Sequence, residues 1–316
     1  MQGERQERDS PPETVLVLGG GGMKGVAHVG AWKALDEAGF RPDAIIGTSI
    51  GSVVGACLAA GLGWRELAEI ARAVRKDDIV SINRRAIWLG GVRETSVFEA
   101  ERYREWLERS LPVDSFEDVG IPLRMNAVSL ISGKEVWFGH GAVENLPLLE
   151  AVYASCALPV YFPPAEIDGD LLVDGGMLDV LPILQAAEWG ARRIIAVDLG
   201  ADMMIPEASV FDRGMIPVHD RVVNLLIRKQ HELIWKAWEG PPVLHIRPRL
   251  GTLTNWEFER SQFLLEEGYR AARMALDGAG GFFEEGKGPE PDREPDSATD
   301  RFRGWMRSAR HRLKAG

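Results

Sequence analysis

The sequence has few cysteines and no long apolar run. Its only cysteines, Cys57 and Cys156, lie in apolar stretches of the 316 residues, which predicts buried reduced thiols and excludes a disulfide scaffold or a cysteine metal site. No stretch approaches the ~20 apolar residues that cross a bilayer as a helix, and the first residues lack the apolar core of a secretory signal. The simplest expectation is a cytoplasmic protein.

Excess basic charge is also missing. The chain has 37 Lys and Arg residues against 47 Asp and Glu residues, a formal net charge of −10. This balance argues against nucleic-acid binding, because the phosphate backbone attracts proteins with basic surfaces. With 45% hydrophobic residues, the chain can bury a large core. We expect one main domain over residues 14–277 after a disordered tail at 1–13.

The charge is unevenly distributed near the carboxyl end. Residues 278–300 are rich in Gly, Pro and acidic residues, which predicts a flexible linker. Residues 301–316 contain six Arg and Lys residues and no acidic residue, and Phe302, Trp305 and Leu313 share one face of a helix. Two interpretations stay open. The segment is either an interfacial helix at the inner membrane face or a disordered basic tail that neutralises the linker.

The turn Gly47-Thr48-Ser49-Ile50-Gly51 joins an apolar strand-like run to a helix of small residues. In such an elbow the glycines remove Cβ atoms that would clash, and the serine hydroxyl points out of the turn. The serine also lies at the start of a helix, where free N–H groups favour negative charge on an attacked carbonyl oxygen. Ser49 is therefore a candidate nucleophile, although a turn without chemistry has the same pattern.

A glycine-rich loop lies between the predicted strand 14–18 and the first predicted helix. Its motif consists of Gly20, Gly21, Gly22, Met23, Lys24 and Gly25. Backbone N–H groups of such a loop bind either a transient oxyanion or a phosphate. The phosphate interpretation is a dinucleotide site with Asp43 as the ribose acid. The oxyanion interpretation is favoured, because Asp43 begins the second strand whereas a ribose acid ends it.

A third motif, Asp174-Gly175-Gly176, follows the apolar run 171–173, and alone it would be an ordinary turn. In their order along the chain, the three motifs resemble the patatin-like phospholipase family. The block 154–164 is similar to the stretch that precedes the aspartate in bacterial members. The resemblance covers about residues 15–199 and continues more weakly to about 276.

The resemblance implies a serine acyl hydrolase of the phospholipase, lysophospholipase or esterase type, acting on a lipid or small ester substrate through an acyl-enzyme. Ser49 would be the nucleophile and Asp174 its base, with the glycine loop as the oxyanion hole. Lys24 would either contact a substrate phosphate or be a solvated charge. No metal or other cofactor is implied, and the oligomeric state stays undetermined.

The interleaved strand and helix patterns predict an α/β fold, with a mainly parallel sheet covered by helices on both faces in the family's three-layer architecture. Two rival functions stay open. An esterase of the α/β-hydrolase type would pair Asp198 with His219 or His245 in a triad, and a nucleotide-binding module would use the glycine loop without hydrolysis. The segment 87–92 around Trp88 is either a flap over an acyl groove or an ordinary loop.

Overall fold

The computed structural model describes residues 11–83, 94–200, 212, 214–251, 253, 256–280 and 282. The strands are β1 Thr14–Leu18, β2 Ala44–Gly47, β3 Leu123–Ser129, β4 Glu135–Gly139, β5 Ala165–Ile167, β6 Asp170–Asp174, β7 Arg193–Val197 and β8 Val243–Ile246. The helices are α1 Val26–Glu37, α2 Ile50–Ala59, α3 Trp64–Ala73, α4 Lys76–Ile79, α5 Glu101–Ser110, α6 Leu148–Cys156, α7 Ile183–Glu188, α8 Met215–Lys236 and α9 Ser261–Gly278. Short 3₁₀ turns include Gly22–Gly25 and Gly175–Met177.

Within the described ranges, the strands form one eight-stranded sheet with the order β5-β6-β3-β2-β1-β7-β8, and β4 pairs with β3. The pairs β3–β2, β2–β1, β1–β7 and β7–β8 are parallel. The pairs β3–β4, β3–β6 and β6–β5 are antiparallel. The predicted α/β class with a mainly parallel sheet is confirmed.

Helices cover both faces of the sheet, because successive side chains of a strand point to opposite sides. In β1, Leu16 and Leu18 pack into the larger core, beneath α1, α2, α6 and α9. Val15 and Val17 of the same strand pack into a smaller core with α7 and the end of α8. The three-layer arrangement follows from this alternation.

The register of β3 brings Asp174 close to the elbow. Met125 pairs with Gly47, which ends β2, and Ala127 pairs with Asp174, which ends β6. Strand β6 therefore approaches from beyond the end of β2 in the antiparallel sense and ends beside the serine turn. The sequence pattern places Asp174 at a strand end, whereas the direction of that strand follows from the register.

The sequence and the structure differ at strand β5 and at the start of helix α8. Strand β5 was not predicted, because its three residues are too few for an alternating pattern to show. The stretch 203–218 looks like a loop in the sequence, whereas α8 begins at Met215; before Gly214 only Asp212 of this stretch is among the described residues. Pro217 suggests a break, but it lies in the first helical turn, where a missing N–H costs little.

Several predicted segments lie outside the described residues. These are the flap or loop at 87–92, most of the tail at 1–13, nearly all of the linker at 278–300, and the basic segment 301–316. The domain boundaries stay predictions. No helix in the described ranges combines the length and apolar character needed to cross a membrane.

Candidate active site

The elbow between β2 and α2 holds Ser49 in a backbone conformation that non-glycine residues rarely adopt, with φ 53° and ψ −127°. The flanking glycines permit the tight turn. A Cβ on Gly47 would lie 2.4 Å from the Gly51 carbonyl oxygen, and one on Gly51 would lie 2.0 Å from the Leu18 carbonyl oxygen. The elbow therefore packs directly against β1 and leaves the serine partly exposed.

The side chains of Ser49 and Asp174 are in direct contact. The Ser49 hydroxyl donates to Asp174 Oδ2 at 2.6 Å, and the amide of Gly176 donates to Asp174 Oδ1 at 2.8 Å. Asp174 is only 3% exposed. Burial raises the pKa of Asp174 to about 6, while the hydrogen bonds from Ser49 and Gly176 act in the opposite direction. The carboxylate is therefore ionised at neutral pH and more basic than an exposed aspartate.

The glycine loop lies beside this pair. A Cβ on Gly20 would lie 3.3 Å from the Cβ of Ser49. The amide of Gly20 already donates to the Val180 carbonyl at 2.9 Å, so it is not a donor toward the serine. The amides of Gly21, Gly22 and Met23 follow at the start of the 3₁₀ turn, where N–H groups have no partner within the turn. Of the loop amides, those of Gly21, Gly22 and Met23 are therefore the expected donors to an anion.

One cavity contains the serine, the aspartate and the loop, and together with its open mouth it encloses about 1100 Å³. Lys24, Gly176 and Met177 also line it. The remaining motif residues do not appear among its walls: Gly25, Gly47, Thr48, Gly51 and Gly175. Gly25 instead packs against Ile50, which would lie 2.3 Å from an added Cβ. These residues shape the backbone around the cavity.

A family model described as patatin-like phospholipase matches residues 16–187, which is more than half of the chain and includes all three motifs. The chain belongs to the patatin-like phospholipase family. The resemblance seen in the motifs is therefore confirmed.

An uncharacterized NTE family protein of Mycobacterium tuberculosis is 36% identical over 195 residues, which cover 62% of this chain and 51% of the relative. Human patatin-like phospholipase domain-containing protein 6 is 34% identical over 188 residues, covering 59% of this chain and 13% of that protein. Lysophospholipase NTE1 of Mycosarcoma maydis is 28% identical over 307 residues, covering 90% and 16%. The chain thus spans about half the length of the mycobacterial relative and far less of the others.

Among solved structures, VipD from Legionella pneumophila aligns at 15% identity with a TM-score of 0.48. The alignment covers 85% of this chain and 67% of VipD.

Two residues of this patatin-like site were not predicted from the sequence. Asn126, fully buried on β3, accepts a hydrogen bond from the Thr48 hydroxyl at 2.9 Å and donates to the Asp179 carbonyl at 3.1 Å. Ser155 on α6 accepts from the backbone amide of Ser49 at 3.0 Å. Asn126 directly follows Met125, the β3 residue that pairs with Gly47, and no feature of the sequence marks it. Ser155 lies in the block 154–164, so only Ser155 had a signal in the sequence.

A further contact fixes the base of the loop. His28 is fully buried in α1, and its Nε2 lies 2.8 Å from the Gly19 carbonyl oxygen, so this nitrogen donates. Burial lowers the pKa of His28 to about 4, and the imidazole is neutral. This hydrogen bond ties α1 to the glycine loop.

Asp198 and His245 of the rival triad pair with each other, and Asp198 lines the same cavity as Ser49. His245 Nε2 lies 2.9 Å from Asp198 Oδ2, and His231 Nε2 lies 3.7 Å from the same oxygen. Burial alone would raise the pKa of Asp198, but the hydrogen bond from His245 and the nearby charges of His231, His245 and Arg247 hold it below its usual range. His219, which is partly buried, contacts Asp220. The Ser49 hydroxyl is bonded to Asp174 instead, so this geometry does not favour the triad.

A second cavity, which together with its open mouth encloses about 490 Å³, adjoins the first. Met23, Ile50 and Trp106 line both cavities. Its other walls are almost entirely apolar: Val26, Val29, Val53, Val54, Cys57, Leu67, Ile70, Ala71 and Val74. Among the described residues, no group of three or more His, Cys, Asp or Glu side chains could hold a metal ion. The site thus combines a polar centre with an apolar compartment.

Proposed function

We propose that the protein is a serine acyl hydrolase that cleaves acyl esters of lipids through Ser49 and Asp174. The observation that carries the proposal is the 2.6 Å hydrogen bond from the Ser49 hydroxyl to Asp174, inside a cavity that the glycine loop also lines. A serine hydroxyl needs a neighbour that accepts its proton, and geometry comes before pKa in choosing that neighbour. The buried carboxylate meets both requirements.

In the first half-reaction, Ser49 Oγ attacks the ester carbonyl carbon while its proton passes to Asp174. The carbonyl oxygen becomes an oxyanion that receives hydrogen bonds from the amides of Gly21, Gly22 or Met23. The intermediate collapses, the carbon–oxygen bond to the alcohol breaks, and the alcohol leaves with the proton from Asp174. In the second half-reaction, Asp174 takes a proton from water as the water attacks the acyl-enzyme, and Ser49 regains its proton as the fatty acid leaves.

The apolar compartment indicates the acyl half of the substrate. It begins at Ile50, the residue next to the nucleophile, so an acyl chain bonded to Ser49 Oγ lies at its entrance. Burying each methylene of a chain contributes about 0.8 kcal/mol, which favours a fatty acyl group over a short one. The alcohol half faces the polar side of the main cavity, which Lys24 and Asp198 line.

The names of two relatives support a phospholipid or lysophospholipid as the natural class of ester. One is called a lysophospholipase and the other contains a patatin-like phospholipase domain. Lys24 is the cation on the glycine loop and provides a contact for the phosphate of such a headgroup. In this arrangement the phosphate lies near the glycine loop and the acyl chain lies in the apolar compartment.

The test compares the wild type with Ser49→Ala and Asp174→Asn, using p-nitrophenyl butyrate and a lysophosphatidylcholine. We expect both substitutions to remove turnover of both esters, and a fluorophosphonate to label Ser49 only in proteins that retain the serine. His245→Gln serves as the control and should keep most of the activity. Loss of activity in His245→Gln with retention in Asp174→Asn would favour the triad. An inactive, unlabelled wild type that a dinucleotide stabilises would favour nucleotide binding.

A further inference from the structure

Helix α8 has two different sides. One side faces the protein, where Asn224, Ile227 and His231 line the main cavity. Tyr161 donates a hydrogen bond from its hydroxyl to Asp220, which anchors the same side. The helix thus forms one wall of the cavity that contains the Ser49 hydroxyl. None of its 22 residues is fully buried.

The opposite side of α8 concentrates exposed apolar residues. Of the fourteen large apolar side chains exposed in the described part of the chain, six lie on this helix: Met215, Val218, Val222, Leu225, Leu226 and Leu233. At 100° per residue, these six fall within about a third of the helix circumference. Soluble proteins usually scatter such side chains singly, whereas a continuous patch marks an interaction surface.

Positive charge surrounds this patch. Lys229 and Lys236 are exposed on the same side of the helix, whereas Arg228 is exposed on its flank, and the exposed acid Glu232 lies between that flank and the patch. Glu232 contacts both Arg228 and Lys229, at 3.0 and 3.5 Å. The local excess of cations contrasts with the net charge of −10 of the chain. Apolar residues combined with cations form a surface that suits anionic lipid headgroups above an apolar layer.

We propose that the outer side of α8 docks on an anionic lipid surface, with its apolar residues below the headgroups and its cations among them. Because the inner side of α8 lines the main cavity, docking places the cavity next to the lipid layer. A lipid ester then reaches Ser49 without crossing bulk water. This docking role rests on the proposed lipid substrate, and it concerns residues other than those of the basic segment 301–316.

Vesicle flotation of the Ser49→Ala protein tests the docking without consuming lipid. The vesicles are phosphatidylcholine alone, or phosphatidylcholine with roughly 30% phosphatidylglycerol, which supplies the anionic charge. Leu226→Glu is added to this background. Ile131→Glu is the matched control, because Ile131 is 67% exposed and Leu226 is 66% exposed, and Ile131 lies in the turn between β3 and β4. Both variants introduce the same charge.

We expect the parent to float with the anionic vesicles, Leu226→Glu to bind at least about tenfold less, and Ile131→Glu to stay within about twofold of the parent. Replacing Arg228 and Lys229 together by Gln should reduce the preference for phosphatidylglycerol at least about fivefold, since each nearby cation adds to the attraction. Absent binding of the parent, or equal effects of the two Glu variants, would overturn the proposal.

Two further measurements separate the remaining outcomes. Sedimentation velocity without lipid would detect a dimer in the parent that becomes a monomer in Leu226→Glu, which would assign the patch to a second copy and overturn lipid docking. When the two Glu substitutions are made in the protein that retains Ser49, Leu226→Glu and Ile131→Glu should hydrolyse p-nitrophenyl butyrate at equal rates, because this ester is dissolved in water. Vesicle binding without any ester hydrolysis would reject the proposed function while leaving the docking surface intact.

Discussion

The proposed chemistry depends on the protonation state of one buried carboxyl group. Asp174 must be ionised to accept the Ser49 proton, and its pKa is raised to about 6, chiefly by burial. We expect kcat/KM for a dissolved ester to fall about tenfold per pH unit below about 6 and to be constant above it. The pH profile of p-nitrophenyl butyrate hydrolysis measures this.

A histidine base would produce a limb in a similar range, so the profile needs a control. The same limb should persist in His245→Gln, and its midpoint should barely move with temperature, because carboxyl ionisation has a small enthalpy whereas that of imidazole is large. A midpoint near 4 would indicate that Asp174 is not perturbed. A midpoint that falls strongly on warming would point to a histidine.

Asn126 is expected to act as a positioning residue. It connects the elbow to the turn after Asp174, because its side chain bonds Thr48 and the Asp179 carbonyl and packs against Gly175. We expect Asn126→Ala to lower kcat by about tenfold to a hundredfold, since small displacements of reacting groups are costly, with little change in KM. Steady-state kinetics check this split.

The exposed Asn145 offers the matched substitution, and Asn145→Ala should leave both constants unchanged. Unfolding of Asn126→Ala should also occur at lower temperature, because a buried donor and acceptor lose their partners at a cost of about 1–3 kcal/mol. A variant of reduced stability with normal kcat would show that the residue supports the fold without positioning the site.

At the scale of elements, α2 and its neighbours line the compartment that we propose for the acyl chain. Val54 lines the apolar compartment behind Ile50. We expect Val54→Phe to reduce the ratio of dodecanoate to butyrate ester hydrolysis by about tenfold, because the larger ring fills space that several methylenes would occupy. Hydrolysis of p-nitrophenyl esters of increasing length gives the ratio. Val54→Ala should change the ratio in the opposite direction, and an unchanged ratio in both variants would place the chain elsewhere.

Helices α1 and α9 approach so closely that their contact requires glycine. A Cβ on Gly268 would lie 1.9 Å from the Ala27 carbonyl oxygen, and one on Gly30 would lie 2.0 Å from the Leu265 carbonyl oxygen. We expect Gly268→Ala to destabilise the protein by about 1–3 kcal/mol, although Ala is the better helix former by roughly 1 kcal/mol. Chemical denaturation provides the free energy of unfolding.

Gly278 ends the same helix, and an added Cβ there would meet nothing within 4 Å. Gly278→Ala should therefore be neutral or slightly stabilising. If both substitutions have the same effect on the free energy of unfolding, the close contact between α1 and α9 does not contribute to stability.

At the scale of the whole molecule, the part that matches the family model is not a complete structural unit. Strand β8 pairs with β7 beyond residue 187, and Leu264 and Ala272 of α9 are fully buried against the main core. We expect a chain that ends at residue 242 to lose its cooperative unfolding transition, because it exposes β7 and the face of α1. Circular dichroism during heating measures this. A chain that ends at residue 285 keeps both elements and should unfold like the full chain; cooperative unfolding of the shorter chain would contradict the prediction.

The sequence by itself determined the local turns and the class of fold. The turn around Ser49, the glycine loop and the Asp174 turn are recognisable because each depends on neighbours in the chain, on glycines that permit close backbone approach and on strands that end in helices. The alternation of apolar patterns likewise indicated most strands and helices, and the order of the motifs indicated the family.

Only the tertiary structure decided which of these pieces meet and how. Several contacts depend on partners far away in the chain. They are the antiparallel pairing of β6 with β3, the hydrogen bonds of Asn126 and Ser155, and the hydrogen bond from the Gly20 amide to the Val180 carbonyl. The hydrogen bond between His245 and Asp198, two residues of the rival triad, also joins residues far apart in the chain. Hydrogen-bond partners across a sheet depend on register, and a sequence pattern specifies which face a residue occupies without specifying its partner.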